Sequence, residues 1–239
     1  MSRGEVIRFL ILRSIGNFLL LFAIFGVLAT FGPAIYYEVS FKIVQARGIK
    51  YAVVDTQTSP LGEILKKQKA ENSQGISGGF AQVLAGPKEQ ILMPKDTDFS
   101  ILIPRLGAST KVFPNIDPSN QNEFLPILRS GVAHARGTVF PGMAGNIYLF
   151  AHSTDNFWDV GRYNAVFYLL KDLKPGDDII VFFENQRHNY VVSESKVVDS
   201  QDVSFITQAK NGKEQLILQT CWPPGTTWKR LLVFAEPKK

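Results

Sequence analysis

Leu216-Ile217-Leu218-Gln219-Thr220-Cys221 and, after a Pro223-Pro224-Gly225 turn signal, Arg230-Leu231-Leu232-Val233-Phe234-Ala235 are two apolar, β-branched runs separated by turn residues. They read as an antiparallel hairpin. That pairing puts a thiol and a guanidinium at the same end of a sheet. Cys221 is the only cysteine of the chain. A thiol beside a fixed cation is the setting that lowers a thiol pKa and makes a nucleophile. The alternative for a lone cysteine is a buried, inert thiol.

Working outward from the hairpin, the region after Phe99 is built of short strands. Ser100 to Pro104, Ile147 to Ala151, Asp178 to Glu184, His188 to Val192, Lys196 to Val198, Gln215 to Thr220 and Leu231 to Ala235 read as strands. Turn signals lie between them: Pro141-Gly142, Gly145-Asn146, Lys174-Pro175-Gly176-Asp177, Glu184-Asn185-Gln186 and Asn211-Gly212. Phe124 to Ser130 and Ala165 to Leu170 read as single helical turns. Seven or eight strands in this length fit a closed or nearly closed β-barrel, with a sandwich as the rival.

The N-terminal part is different. Ser14 to Tyr37 contains no charged residue and is long enough to span a bilayer as a helix. Arg3, Arg8 and Arg13 precede it against Glu5 alone, which keeps residues 1–13 in the cytoplasm and places the rest outside. Tyr36 and Tyr37 suit the interfacial belt. A cleaved signal peptide is the alternative, but its apolar region is shorter and ends in small residues. The chain therefore divides into a basic N-terminus (1–13), a transmembrane helix (14–37), a spacer (38–98) and a β-domain (99–239). Within the spacer, Val39 to Val44 and Tyr51 to Val54 read as β-rich pieces and Leu61 to Lys69 as a short helix.

Composition narrows the function. The net charge is +5 over 239 residues, without a basic stripe carrying interleaved aromatics, so nucleic acid is a poor partner. One cysteine excludes an internal disulfide and a thiolate metal cluster. His134, His152 and His188 lack the spacing of a zinc helix motif. No metal site or required cofactor is expected. Calcium dependence stays open, with Asp155, Asp159, Asp177 and Asp178 reading as solvent-facing loop acids.

Further motifs complete the picture. Gly131-Val132-Ala133-His134-Ala135-Arg136-Gly137-Thr138 leads through Pro141-Gly142 and Gly145-Asn146 to Ala151-His152-Ser153, then Leu173-Lys174-Pro175-Gly176-Asp177, Leu218-Gln219-Thr220-Cys221-Trp222-Pro223 and Arg230-Leu231-Leu232-Val233. Over about residues 103 to 236 this order resembles the sortases, membrane-anchored cysteine transpeptidases of bacterial surfaces. The sequence departs from the family pattern at Ala151, where glycine is common, and at Gln219, where an apolar residue is more frequent.

The resemblance implies a closed eight-stranded barrel with Cys221 as nucleophile, His152 as acid/base and Arg230 as stabiliser. It implies acyl transfer: a thioester forms on Cys221 from a sorting-signal peptide, and an amine of a cell-wall precursor or a pilin lysine then takes the acyl group. His152 would protonate the leaving amine and later deprotonate the incoming one. Thr220, Trp222 and His134 are candidates for substrate binding. Each also has a structural alternative: packing or hydrogen bonding behind the site for Thr220, a core aromatic for Trp222, a structural imidazole for His134. Trp158 and Trp228 are further rim candidates, and Phe205 and Ile206 lie in the loop before the nucleophile strand. Two rival functions stay open, an anchored cysteine peptidase that lets water finish the reaction and a non-catalytic envelope-binding β-domain.

Overall fold

The computed structural model describes residues 3–53, 89–153, 165–208, 212–224 and 226–238. The chain separates into two compact units, Met1–Ser40 and Phe41–Lys239. The first is occupied by helix α1 (Arg3–Ala46), which runs on into the second. Its segment Arg3–Leu28 is long and apolar enough to cross a membrane, and none of it is buried in protein.

The helix is longer than the apolar stretch that announces it. Val39 to Val44, expected as a β-rich piece, is helical. No Gly or Pro interrupts the chain between Ala34 and Arg47, and adding residues to an existing helix is easier than nucleating a new element. The helix stops at Gly48, whose φ of 64° is readily reached by glycine and whose N–H donates to the Gln45 carbonyl at 3.0 Å.

Strand β1 (Lys50–Val53) pairs in parallel with β2 (Glu89–Leu92), a strand the sequence did not announce. Tyr51 and Val53 pack with Leu92 against Leu102, Ile180 and Phe182. The helix expected at residues 61–69 lies outside the described residues.

Eight strands close the barrel: β3 (Phe99–Ile103), β4 (Ala108–Ile116), β5 (Val132–Ala135), β6 (Asn146–Phe150), β7 (Asp178–Phe183), β8 (Gln186–Asp199), β9 (Gln215–Trp222) and β10 (Lys229–Pro237). Their order around the barrel is β10-β8-β7-β3-β4-β5-β6-β9, and β9 pairs back onto β10. The pairs β4–β5 and β6–β9 are parallel and the others antiparallel. The barrel, rather than a sandwich, is thus the architecture.

The expected strands His188–Val192 and Lys196–Val198 are one continuous strand. Strand β8 pairs with β7 from Gln186 to Val191 and with β10 from Tyr190 to Asp199, so the polar run Ser193-Glu194-Ser195 lies within the β10 ladder, where the Phe234/Ala235 register shift sits. The β7–β8 hairpin turns through Glu184 and Asn185, both at positive φ (49° and 62°), the geometry of a tight two-residue turn.

Alternation along the strands sorts side chains into an interior and an outer face. Ile101, Val112, Ile147, Leu149, Val181, Leu216, Leu218, Leu231 and Val233 fill the interior. Ala133, Ala135, Tyr148, Phe150, Ile217, Leu232 and Phe234 form a second apolar layer outside. Helix α2 (Gln121–Leu128) covers it with Phe124, Ile127 and Leu128, and α3 (Ser204–Thr207) with Phe205 and Ile206. Both faces of β9 are therefore covered, which explains why this strand reads as a nearly unbroken apolar run. Fully burying one such Leu, Ile or Phe contributes about 1.5–3 kcal/mol.

Candidate active site

The site is assembled at one end of the outer face by three strands. On β10, Arg230 lies directly opposite Cys221 of β9 in the antiparallel register. Side chains so paired have Cβ atoms about 4.5–5.5 Å apart and share a face. Leu216 and Leu218 point inward and Ile217 outward, so Gln219 and Cys221 are on the outer face. Likewise Leu231 and Val233 point inward, which turns Arg230 outward.

His152 arrives from β6. That strand runs parallel to β9 with Phe150 level with Gln219, and the Ala151 N–H donates to the Gln219 carbonyl at 3.1 Å. His152 follows two residues after Phe150, the last residue of β6 in that ladder. Ile147, Leu149 and Ala151 belong to the interior, so His152 has the outward parity. Cys221 and Arg230 thus form a row across β9 and β10 on one face, and His152 follows the end of the neighbouring strand β6.

Cys221 is half-buried and unbonded to any other cysteine. Arg230 is also half-buried, and its Nη1 donates to the carbonyls of Thr227 at 3.0 Å and Lys229 at 3.1 Å. Those bonds fasten the head of the side chain to the turn that precedes β10. Among the described residues, Nε and Nη2 carry no other partner. His152 is half-buried, and burial pushes its pKa below the ordinary histidine value, with the positive charge of Arg129 acting in the same direction. At neutral pH its resting imidazole is uncharged.

Arg129 is a residue the sequence reading passed over. It caps the C-terminus of α2, is exposed, and leads through Ser130 to Gly131 and β5. In the β5–β6 register Ala133 faces Phe150, so extension by two residues sets Gly131 opposite His152. Gly131 is required by packing: a Cβ there would lie 2.5 Å from the Lys111 carbonyl oxygen on β4.

The three other candidates do not share the face of Cys221. Thr220 is buried, and its hydroxyl donates to the Ala151 carbonyl at 3.2 Å. Trp222 has the inward parity and packs against the interior core. The His134 ring is fully buried; its Nδ1 accepts from the Asn115 N–H at 3.3 Å, so Nε2 carries the proton and faces the Val139 carbonyl at 3.1 Å and the Thr138 hydroxyl at 2.9 Å. The ring also stacks on Phe140 at 4.5 Å between centroids. Thr220 and His134 are buried behind that face, and Trp222 is half-buried on the inward side. Trp228 is exposed at 73% beside the β9–β10 turn. Trp158, Asp155 and Asp159 lie outside the described residues. Asp177 pairs with Arg105 at 3.1 Å and Asp178 with Lys238 at 2.7 Å.

Two outward residues under the row were also passed over as site residues. The Tyr148 hydroxyl, buried in the outer layer, donates to Gln219 Oε1 at 2.7 Å. Burial pushes the Tyr148 pKa well up, so the phenol stays protonated, while the nearby Arg230 charge pulls the other way.

Comparison with known proteins supplies the family. The sortase domain model matches residues 101–238. The chain is 25% identical to sortase D of Bacillus subtilis over 193 residues, which is 78% of this chain and 88% of that protein. It is 27% identical to sortase A of Listeria monocytogenes over 140 residues, 59% of this chain and 56% of that protein. The crystal structure of sortase C-1 from Actinomyces oris superposes with a TM-score of 0.51 at 26% identity, covering 61% of this chain and 76% of that one. A closed eight-stranded barrel and a domain match over more than half of its length mean that this chain belongs to the sortase family of cysteine transpeptidases.

Proposed function

We propose that Cys221, His152 and Arg230 carry out the transpeptidation through a covalent acyl-enzyme. The observation that carries the reading is the direct opposition of Cys221 and Arg230 across β9 and β10, with His152 two residues beyond the end of the neighbouring strand β6. The Cys221 thiolate attacks the scissile carbonyl of a sorting-signal peptide. Arg230, through Nε and Nη2, donates to the oxyanion that forms; the loss of one such donor elsewhere costs about 10²–10³ in rate. His152, as imidazolium, protonates the departing amine, and the tetrahedral adduct collapses to a thioester on Cys221. An incoming amine then attacks the thioester, His152 takes its proton, and the thiolate leaves as the new amide bond forms. The lowered His152 pKa means that the ring rests without its proton and takes one up during the reaction.

The acceptor is an amine of a cell-envelope precursor or a pilin lysine. The catalytic unit works outside the cytoplasm, held to the membrane by the apolar part of α1 with the basic residues Arg3, Arg8 and Arg13 on the cytoplasmic side. The test is product analysis of a sorting-type peptide with and without an added amine. An amide product that requires the amine and disappears in Cys221→Ala supports the reading. Hydrolysis alone, unchanged by amine, points to a cysteine peptidase. A thiol that resists alkylation at neutral pH and no turnover point to a non-catalytic envelope module.

A further inference from the structure

Beside the proposed nucleophile the outer face carries one neutral polar side chain set among apolar ones. Gln219 is two residues before Cys221 on β9, with the same outward parity, about 6.5 Å along the strand. Its neighbours on this face are Phe150, level with it on β6, Leu232, facing it on β10, and Ile217 before it, with Cys221 and Arg230 beyond it. Gln219 is half-buried, open enough to be reached from outside.

The amide is held in one orientation. Its Oε1 accepts the Tyr148 hydroxyl at 2.7 Å. Tyr148 is 2% exposed, so that hydroxyl has little access to water. With the carbonyl end occupied, the Nε2 end has no partner among the described residues.

Resting on the active site proposed above, we infer that Gln219 is a specificity-determining residue, its Nε2 donating a hydrogen bond to an acceptor-bearing side chain of the sorting peptide close to the scissile bond. Strand β9 is hydrogen-bonded on both edges, to β6 and β10, so a substrate lying here meets the side chains of the sheet face rather than its backbone. A donor fixed in an apolar floor is penalised when an apolar group covers it and leaves it unpaired. It therefore selects for an oxygen: the side chain of Asn, Gln, Ser, Thr, Asp or Glu. A neutral hydrogen bond of this kind discriminates by about 3- to 10-fold.

The test uses the full chain in detergent micelles and a randomised pentapeptide library between a fluorophore and a quencher, with cleavage sites read by mass spectrometry. Wild-type protein should enrich acceptor-bearing side chains about 3- to 10-fold at one position within about three residues of the cut. Gln219→Leu should remove that enrichment in favour of apolar residues while keeping preferences elsewhere. Gln219→Glu should move it toward Lys, Arg, Ser and Thr, and Tyr148→Phe, which frees the amide to rotate, should blunt it. An unchanged profile in Gln219→Leu overturns the inference, as does a uniform loss of rate with the same preferences. Absence of any Cys221 adduct in wild-type protein instead overturns the underlying active-site reading, and the two failures are told apart by that adduct.

Discussion

The Thr220 hydroxyl donates to the Ala151 carbonyl at 3.2 Å, tying the residue before Cys221 to the residue before His152. The bond is buried and bridges β9 to the end of β6 just beyond the last main-chain pair of that ladder. It fixes the spacing of nucleophile and acid/base from behind. Thr220→Val keeps the shape and removes the donor. It should lower stability by about 1 kcal/mol in denaturant titration and reduce turnover more than substrate affinity. Native kinetics in this variant would show that the bond has no part in positioning.

Arg230→Ala should reduce acyl transfer by about 10²–10³, the scale for a lost oxyanion donor. Arg230→Lys should recover only part, because one ammonium cannot hold the two turn carbonyls and still offer a fixed fork to the substrate. The head is partly open to solvent, so both variants should melt close to wild type. Near-native rates in Arg230→Ala would remove it from the site.

Arg129 and His152 give a directional test. Burial and the Arg129 charge both disfavour imidazolium. Removing the charge in Arg129→Gln should raise the His152 pKa, so the ring gains its proton at a higher pH than in wild type; NMR titration of the imidazole reads this directly. Arg129→Lys should leave the titration near its original place. An unmoved titration in Arg129→Gln would mean that α2 exerts no field on the site.

His134 is buried and neutral, with its pKa lowered mainly by burial. In the unfolded chain it titrates near ~6.5. Below that pH the unfolded state binds a proton that the folded state refuses, so the stability present above about pH 6.5 is lost as pH falls. His152 and His188 are shifted the same way and add to the slope. His134→Gln should be less stable at pH 7.5 by about 1–3 kcal/mol, through broken buried hydrogen bonds, and should lose less on acidification than wild type. An equal acid slope in the two proteins would contradict the assignment.

Gly131→Ala should destabilise the domain by about 1–3 kcal/mol, since its Cβ meets a backbone carbonyl on β4 that cannot swing aside. A melting temperature equal to wild type would show that β4 and β5 approach less closely.

The strands that form the site were legible because their apolar runs are dense: β6, β7, β9 and β10 lie near their expected places, with Cys221 and Arg230 on adjacent strands. Strand β4 was not, since Ala108-Ser109-Thr110-Lys111 carries polar side chains that a barrel tolerates through its neighbours. Strand β5 is four residues long and too short for a pattern. The β-branched Val39 to Val44 pointed to strand, and continuation of α1 overrode it. Which face each side chain takes depended on register. That is why Thr220, Trp222 and His134 kept two readings in sequence, and why the inward side of Thr220 and His134 shows only in space. Arg129, Tyr148 and Gln219 come together only through pairing of distant strands and the docking of α2, which no local pattern records.

The most direct test of the central claim is intact-protein and peptide mass spectrometry of the full chain quenched during turnover of a sorting-peptide library. The account predicts a thioester adduct of the N-terminal peptide fragment on Cys221, discharged by added amine into an amide product and absent in Cys221→Ala. Amide formation that persists in Cys221→Ala, or an adduct carried on another residue, would contradict it.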